Sequence, residues 1–228
     1  MDGLNELNIF GVEIDCLTAK AAMQMVMEFF ATESVNTLEL VTMDMLIQGQ
    51  DNDVWKEHLG SFDLVLPGDC EILKALKITD RSIIRETENK VFLKLLLRYL
   101  QKIEKKVFLV SQTEETQQEL EHILMEYNSG ITITGTGIIP EDGSRDELVI
   151  NDINGVESDC VISVLPSPQQ EDFIVRNQAL LNTKLWIGCG NFLDGLYGRS
   201  SGGGRILRFL TRKLFHYRVE KHKKNELE

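Results

Sequence analysis

The sequence predicts an α/β fold: a Rossmann-like, mostly parallel sheet with helices on both faces, followed by a basic amphipathic helical appendage. Three observations carry this. Apolar runs of strand length alternate with segments of helical periodicity along most of the 228 residues. Polar or glycine-containing clusters follow directly after several of those runs, where an open parallel sheet places its ligands. Finally, the glycine run Gly202-Gly203-Gly204 precedes a helix-like segment, Arg205 to Arg218, in which Ile206, Leu207, Leu210, Leu214 and Tyr217 share a face among arginines. The expected division is an α/β body over residues 1–198 and a basic appendage over residues 199–228.

Taken in order, residues 8–15 (NIFGVEID) read as one short strand. Residues 17–30 carry apolar side chains at helical spacing, with Thr18 as N-cap. TLELVT, residues 37–42, is a strand leading into a helix through Gln48. FDLVL, residues 62–66, is a strand ending at the turn signal Pro67-Gly68-Asp69, and Cys70 to Leu76 is a short helix. Val91 to Ile103 is helical. KVFLV, residues 106–110, is a buried-type strand, and Ser111-Gln112-Thr113 caps a helix over residues 114–127. ITIT, residues 131–134, is a strand running into a glycine loop, Gly135-Thr136-Gly137. Residues 146–154 form a weaker helix. A strand from Val161, a helix from Gln169 and a strand over residues 184–187 complete the body. Strands that alternate with helices require a mostly parallel sheet and right-handed crossovers.

Composition bounds the function. The four cysteines (Cys16, Cys70, Cys160, Cys189) lie far apart without a CxxC pair, which argues against a zinc site or a disulfide scaffold. The first ten residues lack a basic region followed by an apolar core, and no apolar run approaches a membrane span. A cytoplasmic protein is expected. The net charge of −12 conceals an asymmetry: nine Lys or Arg stand against one acid between Arg199 and Lys224. An acidic body with a basic tail suits an anionic membrane surface or phosphates and is poorly suited to nucleic acid.

Polar groups that follow strands are the candidate site: Thr42 and Asp44, Asp69, Ser111, Gly135 and Gly137, Gln170 and Glu171, and Gly188, Gly190, Asn191 and Asp194. Glycines at such positions let backbone N–H groups approach a phosphate, which suggests a nucleotide-type ligand. The full GxGxxG fingerprint and the Walker A sequence are absent, which leaves a generic dinucleotide oxidoreductase without support. The histidines are scattered, and no serine sits in a GxSxG elbow. What remains is a carboxylate as general base, with arginines stabilising a phosphate leaving group. Each residue also has a plainer reading. Asp69 can cap the helix at Cys70, Glu171 can favour a helix N-terminus, Asp194 can cap, Gly188 and Gly190 can serve a tight turn, and Arg85 can be a surface residue.

An ordered set of motifs carries a resemblance. PSPQQEDFI is similar to a "PKQE" signature and GCGNFLD to a "GVGxxFD" signature of the WecG/TagA/CpsF glycosyltransferases. GVEIDCLTAKAA, LVTMDMLIQGQDND and FDLVLPGDCEIL resemble that family's earlier motifs in the same order, so the likeness covers roughly Ile9 to Asp194. It implies transfer of an N-acetylmannosamine-type sugar from a UDP donor to a polyprenyl-diphosphate-linked saccharide, in synthesis of a cell-surface polysaccharide or teichoic acid. It further implies inversion at the anomeric centre without a bound metal, no cofactor, and a peripheral position on the inner face of the cell membrane. A second copy of the chain is a further expected partner. By the resemblance Asp69 is the base, Thr42, Asp44, Arg85 and Gln170 line the pocket, and Arg205, Arg208, Arg212 and Arg218 are diphosphate or lipid contacts from the appendage. The sequence departs from the family pattern in placing Gly68 before Asp69 and Asp44 at an asparagine position, so Asp44 is an alternative base. A member that binds nucleotide sugar without turning it over is the alternative reading.

Overall fold

The computed structural model describes residues 6–190 and 202–225. Six parallel strands form the sheet, in the order β4 (Leu64–Pro67), β3 (Asn36–Val41), β8 (Leu185–Gly188), β7 (Cys160–Ser163), β5 (Lys106–Ser111) and β6 (Thr132–Ile138). The α/β expectation therefore holds. The pairing of β3 with β8 sets the N-terminal third of the chain beside the segment that follows Pro168.

The period of two within each strand sorts the core. Leu38, Leu40, Leu64, Leu66, Leu109 and Ile162 face helices α1 (Ala19–Phe29), α6 (Val91–Lys102) and α7 (Glu114–Tyr127). Val41, Val65, Phe108, Val161 and Trp186 face the opposite side, which α2 (Met43–Gly49), α3 (Asp53–Gly60), α8 (Asp146–Gly155) and α9 (Gln169–Asn177) cover. Trp186 stacks on Phe173 there, with ring centroids 5.3 Å apart. Thr18 caps α1 as expected, its Oγ1 accepting from Ala21 N at 3.2 Å, which contributes about 1 kcal/mol.

Four features differ from the sequence reading. Residues 8–15 are two strands, β1 (Glu6–Ile9) and β2 (Val12–Asp15), paired antiparallel; Phe10 and Gly11 both take positive φ and turn the chain back. Helix α3 and helix α5 (Arg81–Glu88) are additional. Each is short and buries only one or two side chains, Trp55 and Leu59 in α3 and Ile83 in α5. The expected glycine loop at Gly135 to Gly137 is strand, with Gly135 opposite Phe108 and Gly137 opposite Val110. The run Gly202-Gly203-Gly204 forms the first turn of α10 (Gly202–Asn225).

Helix α10 lies across α2 and α4 (Cys70–Ala75). Phe215 is fully buried and meets Phe10 edge-on, and Val219 joins the same cluster. Burial of a ring of this size contributes about 1.5–3 kcal/mol, against about 0–1 kcal/mol for an exposed ion pair, so the apolar anchor supplies most of the docking energy. No helix among the described residues is long and apolar enough to cross a membrane.

Candidate functional site at the carboxyl edge of β3 and β4

Strands β3 and β4 pair through Val41 and Pro67, so the residues just beyond them emerge side by side. Thr42 caps α2, its Oγ1 accepting from Met45 N at 3.4 Å. Asp44 is exposed in the first turn of the same helix. Asp69 occupies the N-cap position of α4, yet makes no capping bond to that helix. Its Oδ2 accepts instead from Met43 N of α2 at 3.0 Å. A carboxylate there meets the positive end of the α2 dipole, which favours its charge. Thr42, Asp44 and Asp69 are thus brought together, and the one-residue displacement to Asp69 leaves the carboxylate at the sheet edge.

A narrow crevice runs from this edge between α1 and the turn that joins α5 to α6. Leu17, Leu40, Leu66, Pro67, Lys90 and Phe92 are among its lining residues. Glu86 forms part of the wall, and its Oε2 accepts from Ala19 N at 2.7 Å, tying the turn to the start of α1. Arg85 is exposed and lines an adjoining open cleft with Arg81, Ser82 and Asn89. Lys90 holds a left-handed backbone, φ 52°, just before α6. Its charge is close enough to oppose the rise of the Cys189 thiol, which burial first and Glu39 next push far up. Lys90 was not apparent from sequence.

The remaining polar positions behave differently. Gln170 and Glu171 are fully buried beneath the sheet edge. Gln170 Nε2 donates to both carboxyl oxygens of Glu39, each at 2.8 Å. Glu171 Oε1 accepts from Trp55 Nε1 and from Ser167 Oγ, each at 2.9 Å. Burial, and then the nearby Glu171, push the Glu39 carboxyl well above the ordinary range against the bond from Gln170. Burial likewise raises Glu171, against its bonds from Trp55 and Ser167. Among the described residues Gln170 Oε1 and Glu171 Oε2 have no donor, which favours a retained proton on this pair. Glu39 left one trace in the sequence, an acid inside the strand-like run TLELVT, but nothing there pointed to Gln170.

The glycines have packing reasons. A Cβ on Gly188 would collide with Glu39 Oε2 and Gln170 Nε2. Cβ atoms on Gly135 and Gly137 would press into Phe108 and Val149. Of the four candidate-site glycines in the described residues, Gly135, Gly137, Gly188 and Gly190, the last takes positive φ, 44°. Ser111 is fully buried, its Oγ 2.9 Å from Thr113 O and 3.1 Å from Gln117 Oε1. Gln169, at the lysine position of "PKQE", joins three loops: its Nε2 donates to Ile139 O and Pro140 O at 3.0 Å each, and Gln112 donates to its Oε1 at 2.8 Å.

Of the appendage arginines, Arg218 Nη1 donates to Ile47 O at the end of α2 at 3.3 Å, and Arg212 Nη1 lies 3.7 Å from Glu71. Asn191 and Asp194, and the side chains of Arg205 and Arg208, lie outside the described residues. No group of three or more His, Cys, Asp or Glu that could hold a metal ion is assembled among the described residues.

A sequence model of the glycosyl transferase WecG/TagA/CpsF family matches residues 7–210. The chain belongs to this family. It is therefore a glycosyltransferase by descent. Similar relatives include the N-acetylglucosaminyldiphosphoundecaprenol N-acetyl-beta-D-mannosaminyltransferases of Staphylococcus aureus strains MRSA252 and NCTC 8325 / PS 47. Each is 21% identical over 209 residues, covering 90% of this chain and 81% of the relative. Gln170, in the segment expected to match "PKQE", is a buried partner of Glu39.

Proposed function

We propose that the chain transfers an N-acetylmannosamine-type sugar from a UDP donor to a polyprenyl-diphosphate-linked N-acetylglucosamine. The observation that carries this reading is Asp69, held at the start of α2 beside Thr42 and Asp44, in a chain of this family. The acceptor hydroxyl attacks the anomeric carbon from the face opposite the leaving UDP. The new C–O bond forms as the bond to the diphosphate breaks, which inverts the centre. Asp69 takes the hydroxyl proton, and Thr42 and Asp44 orient the sugar. The diphosphate charge falls to cations of the chain without a bound metal: Arg85, Lys90 and the arginines of α10.

The run of α10 supports the last assignment. Arg212 and His216 meet Glu71 at the start of α4, and Lys223 meets Ala75 O at its end. The two helices therefore run in the same direction, and the turns of α10 before Arg212 extend beyond the start of α4. On the outer face of α10, exposed Leu214 and Tyr217 stand beside Lys213, Lys221 and Lys224. An apolar pair among cations suits an anionic membrane, and we assign α10 as the peripheral contact with the inner leaflet. Liposomes with and without anionic lipid test this. Binding should weaken as salt rises and in Lys221→Glu/Lys224→Glu, and salt-independent binding excludes it.

The transfer reading is tested by UDP release from UDP-N-acetylmannosamine with a lipid-diphosphate-N-acetylglucosamine acceptor. Turnover is expected, and Asp69→Asn should slow it by about 10²–10⁴-fold. Full activity in Asp69→Asn would return the base role to Asp44. One observation favours a second reading, a member that binds nucleotide sugar without turnover: the glutamine of "PKQE" is buried. Calorimetric UDP binding with no turnover of any UDP-N-acetylhexosamine selects it.

A further inference from the structure

Glu71 is the one acid of α4, in its first turn and two residues beyond Asp69. Its side chain is 14% exposed and gathers Lys74, Arg212 and the imidazole of His216 from two helices. Lys74 Nζ of α4 lies 2.8 Å from Oε1; from α10, His216 Nε2 lies 3.1 Å from Oε2 and Arg212 Nη1 lies 3.7 Å from Oε1. Burial works to raise the carboxyl, but the bonds from Lys74 and His216 outweigh it and hold it below the ordinary range. Two further polar contacts of α10 fall on helix ends: Arg218 on Ile47 O of α2, and Lys223 on Ala75 O of α4. Cations there meet unpaired carbonyls and the negative ends of the two dipoles. The same two helices hold the candidate base, since Asp69 precedes α4 and bonds to the first N–H of α2. Phe215 and Val219 anchor α10 by burial, but an apolar contact is non-directional and leaves its register along α4 open. Directional bonds to a partly buried carboxylate fix that register.

We propose that Glu71 is a positioning residue that couples the docking of α10 to the placement of Asp69. The proposal rests on the reading of Asp69 as base. It predicts that α10, α4 and the first turn of α2 behave as one unit, so that an α10 out of register disturbs the Met43–Asp69 bond. Glu71 itself does not touch the reacting atoms.

The test uses the full chain with Glu71→Ala and the exchanged pair Glu71→Lys/His216→Glu. Hydrogen exchange of amides 211–225 and of Met43 reads docking and the Asp69 bond directly, independent of turnover. Steady-state transfer reads the consequence. In Glu71→Ala, exchange at both places should rise by about tenfold, and kcat should fall by a similar factor. KM for the UDP-sugar should stay within about threefold. The exchanged pair should recover protection and kcat together. Unchanged exchange in Glu71→Ala overturns the proposal, as does loosened α10 with unaltered kcat. Lost kcat that the exchanged pair fails to recover, with protection restored, also overturns it. A wild-type chain that shows no turnover counts against the reading of Asp69, whereas unaltered exchange in Glu71→Ala counts against the positioning role of Glu71.

Discussion

The two halves of the sheet's carboxyl edge use similar residues to opposite ends. Beyond the ends of β3 and β4 the acids are accessible: Asp44 is exposed, Asp69 is half-buried on the start of α2, and a crevice opens beside Pro67. At β8, β7, β5 and β6 the polar groups turn inward. Gln170, Glu171 and Ser111 are fully buried, and the glycines at 135, 137 and 188 make room for neighbouring side chains. A motif position therefore does not say whether a residue meets a ligand or holds another residue. The distinction lies in what occupies the space above it. The β3–β4 half should carry the chemistry, and the β8–β7 half should carry the rigidity of the platform.

The largest effects should separate the halves by their readout. Asp69→Asn should cost the transferase about 10²–10⁴-fold in kcat, with a melting temperature near that of the parent. Gly188→Ala should do the reverse. Its Cβ would collide with Glu39 Oε2 and Gln170 Nε2, two groups with no solvent to retreat into. Overpacking of this kind costs about 1–3 kcal/mol, so chemical denaturation should shift to lower denaturant at an unchanged slope. A Gly188→Ala chain as stable as its parent, but with lost UDP binding, would break the comparison. Gly188 would then be a phosphate contact after all.

The legible part of this molecule was what local pattern determines. β5 and α7 follow directly from KVFLV and the helical spacing after Thr113. α3 and α5 escaped because one or two buried side chains give almost no periodic signal. Phe10-Gly11 escaped because the turn takes positive φ at a phenylalanine, a residue that rarely adopts it. Gly135 to Gly137 read as a loop because glycine is depleted in strands, yet the ring of Phe108 requires it there. For the site, Thr42 and Asp69 were legible as residues that follow strands. Glu39 was not, since its partner Gln170 lies 131 positions away and they meet only because β3 pairs with β8.

A further effect, graded in pH, concerns the proton retained by the buried cluster of Glu39, Gln170 and Glu171. Glu39 and Glu171 are both raised, so the folded chain binds more protons than the unfolded chain between their unfolded and folded values. Stability then depends on pH with a negative sign. The contribution is fully present below the unfolded carboxyl value, near 4.5. It is lost as pH rises toward the raised folded values, at up to about 1.4 kcal/mol per pH unit for each group. Glu39→Gln has nearly the shape of the neutral acid, and its amide offers an acceptor oxygen to Gln170 Nε2 and a donor toward the unpartnered Gln170 Oε1. It should therefore fold, and its stability should fall less steeply between pH 5 and 8 than that of the parent, by roughly one group's share of the slope. Denaturation curves at stepped pH measure this. A parent chain that gains stability across that range would place the charge, rather than the proton, on Glu39. The buried cluster of Glu39, Gln170 and Glu171 would then hold an ionised acid beside Cys189, and the contrast along the edge would be one of access alone.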